Sequence, residues 1–220
     1  MSDSQAAGER SEKISRWLGS SLPRGYGDIT EEVDTQGLDL LNGNSDFGGA
    51  RTLFATEEPS ALYKGGKSSA EPRQQDWVES DTDEQLMLFV PFRATLKIHT
   101  IQVTALPLIA SADDNEPSMR PKTIQVYSNR AHILGFEEAE DISATQRIIL
   151  RPEDWDEQTG TAKVELRFVK FQNVTSLVLF VVDGDGEAEK VRIDRLRFIG
   201  EKGEKRELGK LEKIGDQSGD

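Results

Sequence analysis

The sequence predicts an all-β fold, a jelly-roll-like β-sandwich with disordered N- and C-terminal extensions. Between Gln85 and Gly200, short runs rich in β-branched and aromatic residues alternate with clusters of turn-forming Gly, Pro, Asn and Asp. No segment repeats apolar residues at helical spacing over a useful length. Connections such as Asn129 to Thr145 and Arg151 to Thr161 exceed hairpin length, which favours a jelly-roll or Greek-key path over a simple meander.

Residues 1–27 have little apolar content beyond Ile14, Trp17, Leu18, Leu22 and Tyr26, and are expected to be a disordered extension. The folded domain is expected over residues 28–200. At its start, Asp28 and Glu31 have capping-box spacing and predict a short helix over Ile29 to Thr35. Leu38 to Asn42 is apolar enough to dock on a core. Gly43 to Asp76 reads as one long connection, anchored at Leu53-Phe54 and Leu62-Tyr63.

Leu86 to Val90 predicts a strand that Pro91 ends, and Thr95 to Ala105 predicts a second. In the second, Leu96 and Ile98 share one face while Ile101, Val103 and Ala105 have the opposite parity, so a bulge is expected near His99 and Thr100. After a loop at 107–121, further strands fit Ile124 to Tyr127, Gln146 to Leu150, Lys163 to Val169 and Thr175 to Val182. The last is apolar on both faces and should lie centrally. Asp183-Gly184-Asp185-Gly186 predicts a hairpin turn. Lys190 to Ile199 closes the domain with Arg192, Arg195 and Arg197 alternating against apolar residues, and a second parity change predicts a bulge at Asp194-Arg195. Residues 201–220 are charged and expected to be a flexible tail.

Composition narrows the function. Forty acidic against 27 basic residues give a formal net charge of −13, which repels nucleic acid and anionic lipid. The acid is clustered in Gln75 to Glu84, Glu137 to Asp141, Glu153 to Glu157 and Asp183 to Glu189. This reads first as solvated loop tips that keep a β-protein soluble and, as the alternative, as an acidic surface that steers the domain to a basic protein partner. No cysteine is present, so disulfides, thiolate metal sites and a cysteine nucleophile are excluded. The start lacks a secretory pattern and the longest apolar run, Leu177 to Val182, is too short to span a bilayer. The expectation is therefore a protein of the cytoplasm or nucleus with no membrane partner.

The chemical motifs dissolve on testing. Gly66-Lys67-Ser68 resembles the end of a phosphate loop, but Ala61 stands where the first glycine is required. Asp183 to Gly186 hints at a calcium loop, yet the twelfth position is Asp194 in place of glutamate. His99 and His132 are the only imidazoles, and no Ser lies in a G-x-S-x-G elbow. No catalytic, cofactor-binding or metal-binding residue is assigned, and no cofactor is expected. The alternative to a protein-interaction module is a carbohydrate or small-ligand binding module, with Trp77, Trp155, Phe136 and Tyr127 as a sugar platform.

Four blocks in order carry a family resemblance: Asp83 to Leu86, Phe136 to Glu140, Arg167 to Val174, and Arg192-Ile193 through Phe198-Ile199-Gly200. From about Asp28 to Gly200 the chain resembles the proteasome-interacting thioredoxin domain, or PITH domain. The resemblance implies a jelly-roll sandwich, a member standing alone without a thioredoxin domain, and a non-enzymatic accessory factor of the 26S proteasome. It brings no redox activity, because Cys-x-x-Cys is absent. In the matching blocks, Arg167 to Lys170 is expected to alternate bases outward and apolar residues inward.

Overall fold

A computed structural model of the chain describes residues 25–62, 75–106 and 117–203. Its strands are β1 (Gly27–Asp28), β2 (Asp39–Leu41), β3 (Val78–Glu79), β4 (Leu86–Thr104), β5 (Ser118–Met119), β6 (Pro121–Ser128), β7 (Gln146–Ile149), β8 (Thr161–Glu165), β9 (Val174–Gly184), β10 (Lys190–Ile193) and β11 (Arg195–Lys202). A short helix, α1 (Phe136–Asp141), lies in the β6–β7 connection. The disorder expected for residues 1–24 and 204–220, the 107–116 part of the loop, and the anchor at Tyr63 lie outside the described residues. At the inner ends of the two extensions, Gly27 pairs with Gly200, and β11 continues to Lys202.

The organising element is β4, 19 residues long. Its first half lies between β2 and β9, and β9 is followed by β6 and β7. Its second half lies between β11 and β8, with β1 beyond β11. One strand therefore serves both layers of a sandwich. Pro91 does not end it, contrary to expectation. The pairing with β9 breaks register between Pro91 and Leu96, and the strand bends there from one layer to the other. A proline without an N–H is tolerated at such an irregularity.

Between the layers the inward faces share one core: Leu86, Leu88, Val126, Leu179 and Val181 from one side meet Ile98, Ile101, Val103, Leu196 and Phe198 from the other. The packing leaves an apolar void of only about 20 Å³, room for roughly one water that an apolar lining would not hold. As its two apolar faces predict, β9 is central. Leu177, Leu179 and Val181 enter this core, while Val178 and Phe180 pack outward with Met87, Tyr127 and Leu134 beneath Ala139 of α1.

The expected bulge in β4 is present. Thr100 faces Ile199 and Ile98 faces Gly200, which leaves His99 as the extra residue. The second expected bulge, at Asp194-Arg195, is instead a break between strands: β10 ends at Ile193 in the small sheet and β11 begins at Arg195 in the large one.

Other expectations are corrected. Asp183 to Gly186 is not a hairpin turn: β10 leaves β9 for a separate small sheet, antiparallel to β3 and parallel to β5. The strand from Lys163 ends at Glu165, and Phe168–Phe171 is a 3-10 turn on which Val169 is 84% exposed, so the alternation expected there fails. The helix expected over Ile29 to Thr35 is one 3-10 turn, Thr30–Glu32, with Asp28 Oδ1 accepting from the Thr30 N–H at 2.8 Å.

The largest surprise is arginine. Arg192, Arg195 and Arg197 are each 2% exposed or less, because residues 50–62 and 75–79 cover the face that bears them. Arg197 donates to the Leu53 and Ala55 carbonyls. Arg195 donates to the Glu57 carbonyl at 3.1 Å, and to the Asp76 carbonyl and carboxylate at 2.6 Å each. Arg192 grips Asp194 through two nitrogens and lies 3.8 Å over the Trp77 ring. A buried guanidinium group needs acceptors for its donors: main-chain carbonyls of the covering segment accept from Arg195 and Arg197, and the Asp194 carboxylate accepts from Arg192. The long connection is thus fastened by Leu53 and Phe54, as expected, and by a ladder of arginines that was not.

Candidate interaction surface

Among the described residues no three His, Asp or Glu side chains converge as metal ligands. His99 stands on the β4 bulge against Tyr26, ring centroids 4.3 Å apart, while His132 is exposed in the loop after β6. The sugar platform is not assembled either. Trp77, Trp155 and Tyr127 are buried, and guanidinium groups occupy the ring faces of both tryptophans, Arg192 on Trp77 and Arg120 at 5.1 Å on Trp155. Only Phe136 stays half-buried, and its ring is turned to Phe180 at 5.6 Å.

The acidic clusters separate into those the fold uses and one it does not. In the first, Asp76 accepts from the Ser60 main chain and hydroxyl and from Arg195. Burial alone would raise its carboxyl pKa, but the Ser60 hydroxyl and Arg195 outweigh burial and hold it below the ordinary value. Glu79 is buried, Asp83 accepts from Asn42 and the Gln85 N–H, and Glu84 accepts from the Gly184 N–H. This cluster is largely structural. In the third, Asp154 accepts from the Arg151 N–H. Asp156 accepts from the Thr159 N–H and hydroxyl, the causes that lower its pKa. In the fourth, Asp183 and Asp185 accept from the Thr123 and Arg120 N–H groups.

The second cluster differs. Glu137, Glu138, Glu140 and Asp141 are all exposed on α1, and no hydrogen bond or salt bridge ties them to other described residues. The helix beneath them is fixed. Ala139 is buried against the outer face of β9, its carbonyl accepts from the Tyr127 hydroxyl at 2.7 Å, and Phe136 packs on Phe180. Burial raises the Tyr127 phenol pKa, only partly opposed by Arg130, so this donor keeps its proton. Beside the helix, Leu41, Phe89, Ile133, Ile142 and Val182 are partly exposed at the margin of the outer cluster. A carboxylate-bearing helix on a firm apolar base is suited to recognising a basic surface with apolar residues among its charges. The sequence reveals the acidic run but not that it sits on a mounted helix, because six residues are too few for a helical period to show.

The sequence pattern of the PITH domain family matches residues 19–216. Thioredoxin-like protein 1 of Schizosaccharomyces pombe is 37% identical over 148 residues, 67% of this chain and 48% of that protein. PITH domain-containing protein CG6153 of Drosophila melanogaster is 28% identical over 177 residues, 79% of this chain and 67% of that protein. The match thus spans about half the length of the first relative. Among solved structures, the chain is similar to the family 32 carbohydrate-binding module of C. perfringens NanJ in complex with galactose. That likeness has 9% identity, 79% and 98% of the two chains covered, and TM-score 0.41. Similarity to allantoicase from Saccharomyces cerevisiae has 12% identity, 82% and 45% covered, and TM-score 0.45. Likenesses this low carry no ligand chemistry across.

Proposed function

The chain belongs to the PITH domain family, and from that premise we propose that it is a non-enzymatic protein-interaction module that associates with the 26S proteasome in the cytoplasm or nucleus. The observation that carries the reading is α1. Four exposed carboxylates stand on an anchored helix, while the acids of the other clusters are largely drawn into the fold's own hydrogen bonds. Binding begins with attraction between this helix and a basic patch, and the apolar margin closes on the partner after contact.

The proposal is tested by association kinetics with purified 26S proteasomes at about 0.05 and 0.5 M salt, where screening lengths are roughly 14 and 4 Å. The parent chain is compared with one carrying Glu137→Gln, Glu138→Gln and Glu140→Gln. Raised salt slows the parent, and the Gln chain is slower at low salt but converges with the parent at high salt. Absence of binding overturns the partner. A rate indifferent to salt and substitution overturns the surface.

A further inference from the structure

We propose that the open edge of β7, with the neighbouring turn at Phe168–Phe171, is a second docking surface that takes an acidic, extended segment of a partner protein as an added strand. This goes beyond the reading above and uses none of its residues.

The edge follows from register. Among the described strands, β7 is the last of its layer and pairs only with β6, Thr123 facing Ile149 and Gln125 facing Arg147. One step further, the Leu150 N–H donates to the Lys122 carbonyl at 2.7 Å, so Leu150 and Lys122 form a hydrogen-bonded pair. In an antiparallel ladder bonded and non-bonded pairs alternate. Ile148 and Gln146 therefore bond to β6, and Arg147 and Ile149 turn their N–H and C=O groups to the open side. No other described element takes them up.

The side chains around that edge share a chemistry unlike the rest of this acidic chain. Ile149 is 57% exposed and Val169 is 84% exposed, and these are the large hydrophobic side chains most open to water among the described residues. They belong to one corner because Gln146 joins them. Its side chain donates to the Glu165 carbonyl at 3.2 Å and accepts from the Arg167 N–H at 2.8 Å, while Lys170 Nζ reaches the Thr145 carbonyl at 3.0 Å. Arg147, Arg167 and Lys170 are exposed there and form no salt bridge with described residues. Glu165 is the exposed acid beside them.

An incoming strand would meet main-chain donors and acceptors at Arg147 and Ile149, a cation beside the first and an apolar side chain at the second. Strand addition draws affinity from the main chain and selectivity from the alternating side chains. Three cations select an acidic segment. The same charge opposes pairing of two copies edge to edge, the usual hazard of an open strand. An anionic lipid surface would also be drawn to the cations, but it has no strand to satisfy the edge.

The test uses the full chain and, as probe, a short acetylated peptide of alternating Glu and Val. Its companions are a backbone N-methylated version, a Lys-Val version, and vesicles of phosphatidylserine with phosphatidylcholine. Fluorescence anisotropy reads binding, and hydrogen exchange by NMR reads the Arg147 and Ile149 amides. The Glu-Val peptide binds and slows exchange at both amides, while the N-methylated and Lys-Val peptides do not bind. Arg147→Glu, an exposed change that leaves the fold intact, weakens binding by about tenfold or more, the scale of one charge-assisted hydrogen bond. The Gln substitutions in α1 leave peptide binding unchanged. The proposal is overturned by slow exchange at both amides in the free chain, by equal binding of the N-methylated peptide, by an Arg147→Glu chain that binds like the parent, or by vesicles that bind where the peptide does not.

Discussion

Replacing Arg195 with Met removes the middle rung of the arginine ladder while keeping much of its volume. Arg195 is 2% exposed and donates to the carbonyls of Glu57, Asp76 and Asp194 and to the Asp76 carboxylate. Met supplies none of these donors, so three carbonyls lose a partner and a largely buried carboxylate loses its cation. Breaking a buried pair from one side costs about 3–5 kcal/mol. For a domain of this size that lowers Tm by roughly 6–20 °C, at about 2–4 °C per kcal/mol. The control is Lys97→Met, which breaks the exposed 3.5 Å pair with Glu201 and costs about 0–1 kcal/mol. Urea unfolding of parent, Arg195→Met and Lys97→Met gives the two differences. The pH dependence adds a second reading. The folded pKa of Asp76 lies below its unfolded value of 3.8, so its contribution is fully present above that value and is lost as pH falls through the folded pKa. The parent's advantage over Arg195→Met therefore narrows below pH 3.8. Burial raises the Asp194 pKa in spite of Arg192, and its contribution has the opposite sense, present below the unfolded pKa and lost as pH rises through the folded one. An Arg195→Met chain no less stable than Lys97→Met refutes the ladder as the fastening of residues 50–62 and 75–79.

Leu179→Asp places an unpaired carboxylate between the layers and abolishes cooperative folding, whereas Glu187→Ala in the exposed β9–β10 connection shifts the urea midpoint negligibly. Soluble, cooperatively unfolding Leu179→Asp protein would contradict the placement of β9. Tyr127→Phe removes the bond to the Ala139 carbonyl, costs about 0.5–1.5 kcal/mol, and speeds hydrogen exchange in α1 more than in β9. Uniform acceleration across both would show that the phenol does not hold the helix.

Parity carried most of what could be read from the chain. Two apolar faces located β9, and a phase slip located the bulge at His99, because sheet geometry turns a change of face into an extra residue. The slip at Asp194 instead marks the break where the chain passes from one sheet to the other. Punctuation misled. Pro91 reads as a stop, yet it marks the bend where one strand changes layers. Asp-Gly repeats read as a hairpin, yet β10 departs to pair with β3 and β5. The arginines were illegible for a different reason. Alternation shows which residues share a face but not whether distant chain covers it, and the cover on Arg195 and Arg197 comes from residues more than a hundred positions away. The acidic helix was half legible. Its charges were evident, but that all four stay unengaged, while every other cluster gives some of its carboxylates to the fold, depends on which turns need carboxylates for their own N–H groups. The open edge of β7 was not visible at all, because edges are set by strand order.

The claim that this domain meets the proteasome through α1 is tested most directly by site-specific photocrosslinking. A photoreactive side chain is placed at Glu138 on α1 or at Glu187 in the β9–β10 connection, both exposed and acidic in the parent. Each chain is irradiated with purified 26S proteasomes at low salt, and crosslinked subunits are identified by mass spectrometry. The account predicts crosslinks to a proteasome subunit from position 138, suppressed by high salt, and none from position 187. Crosslinks from 187 but not 138, or from neither, would contradict it.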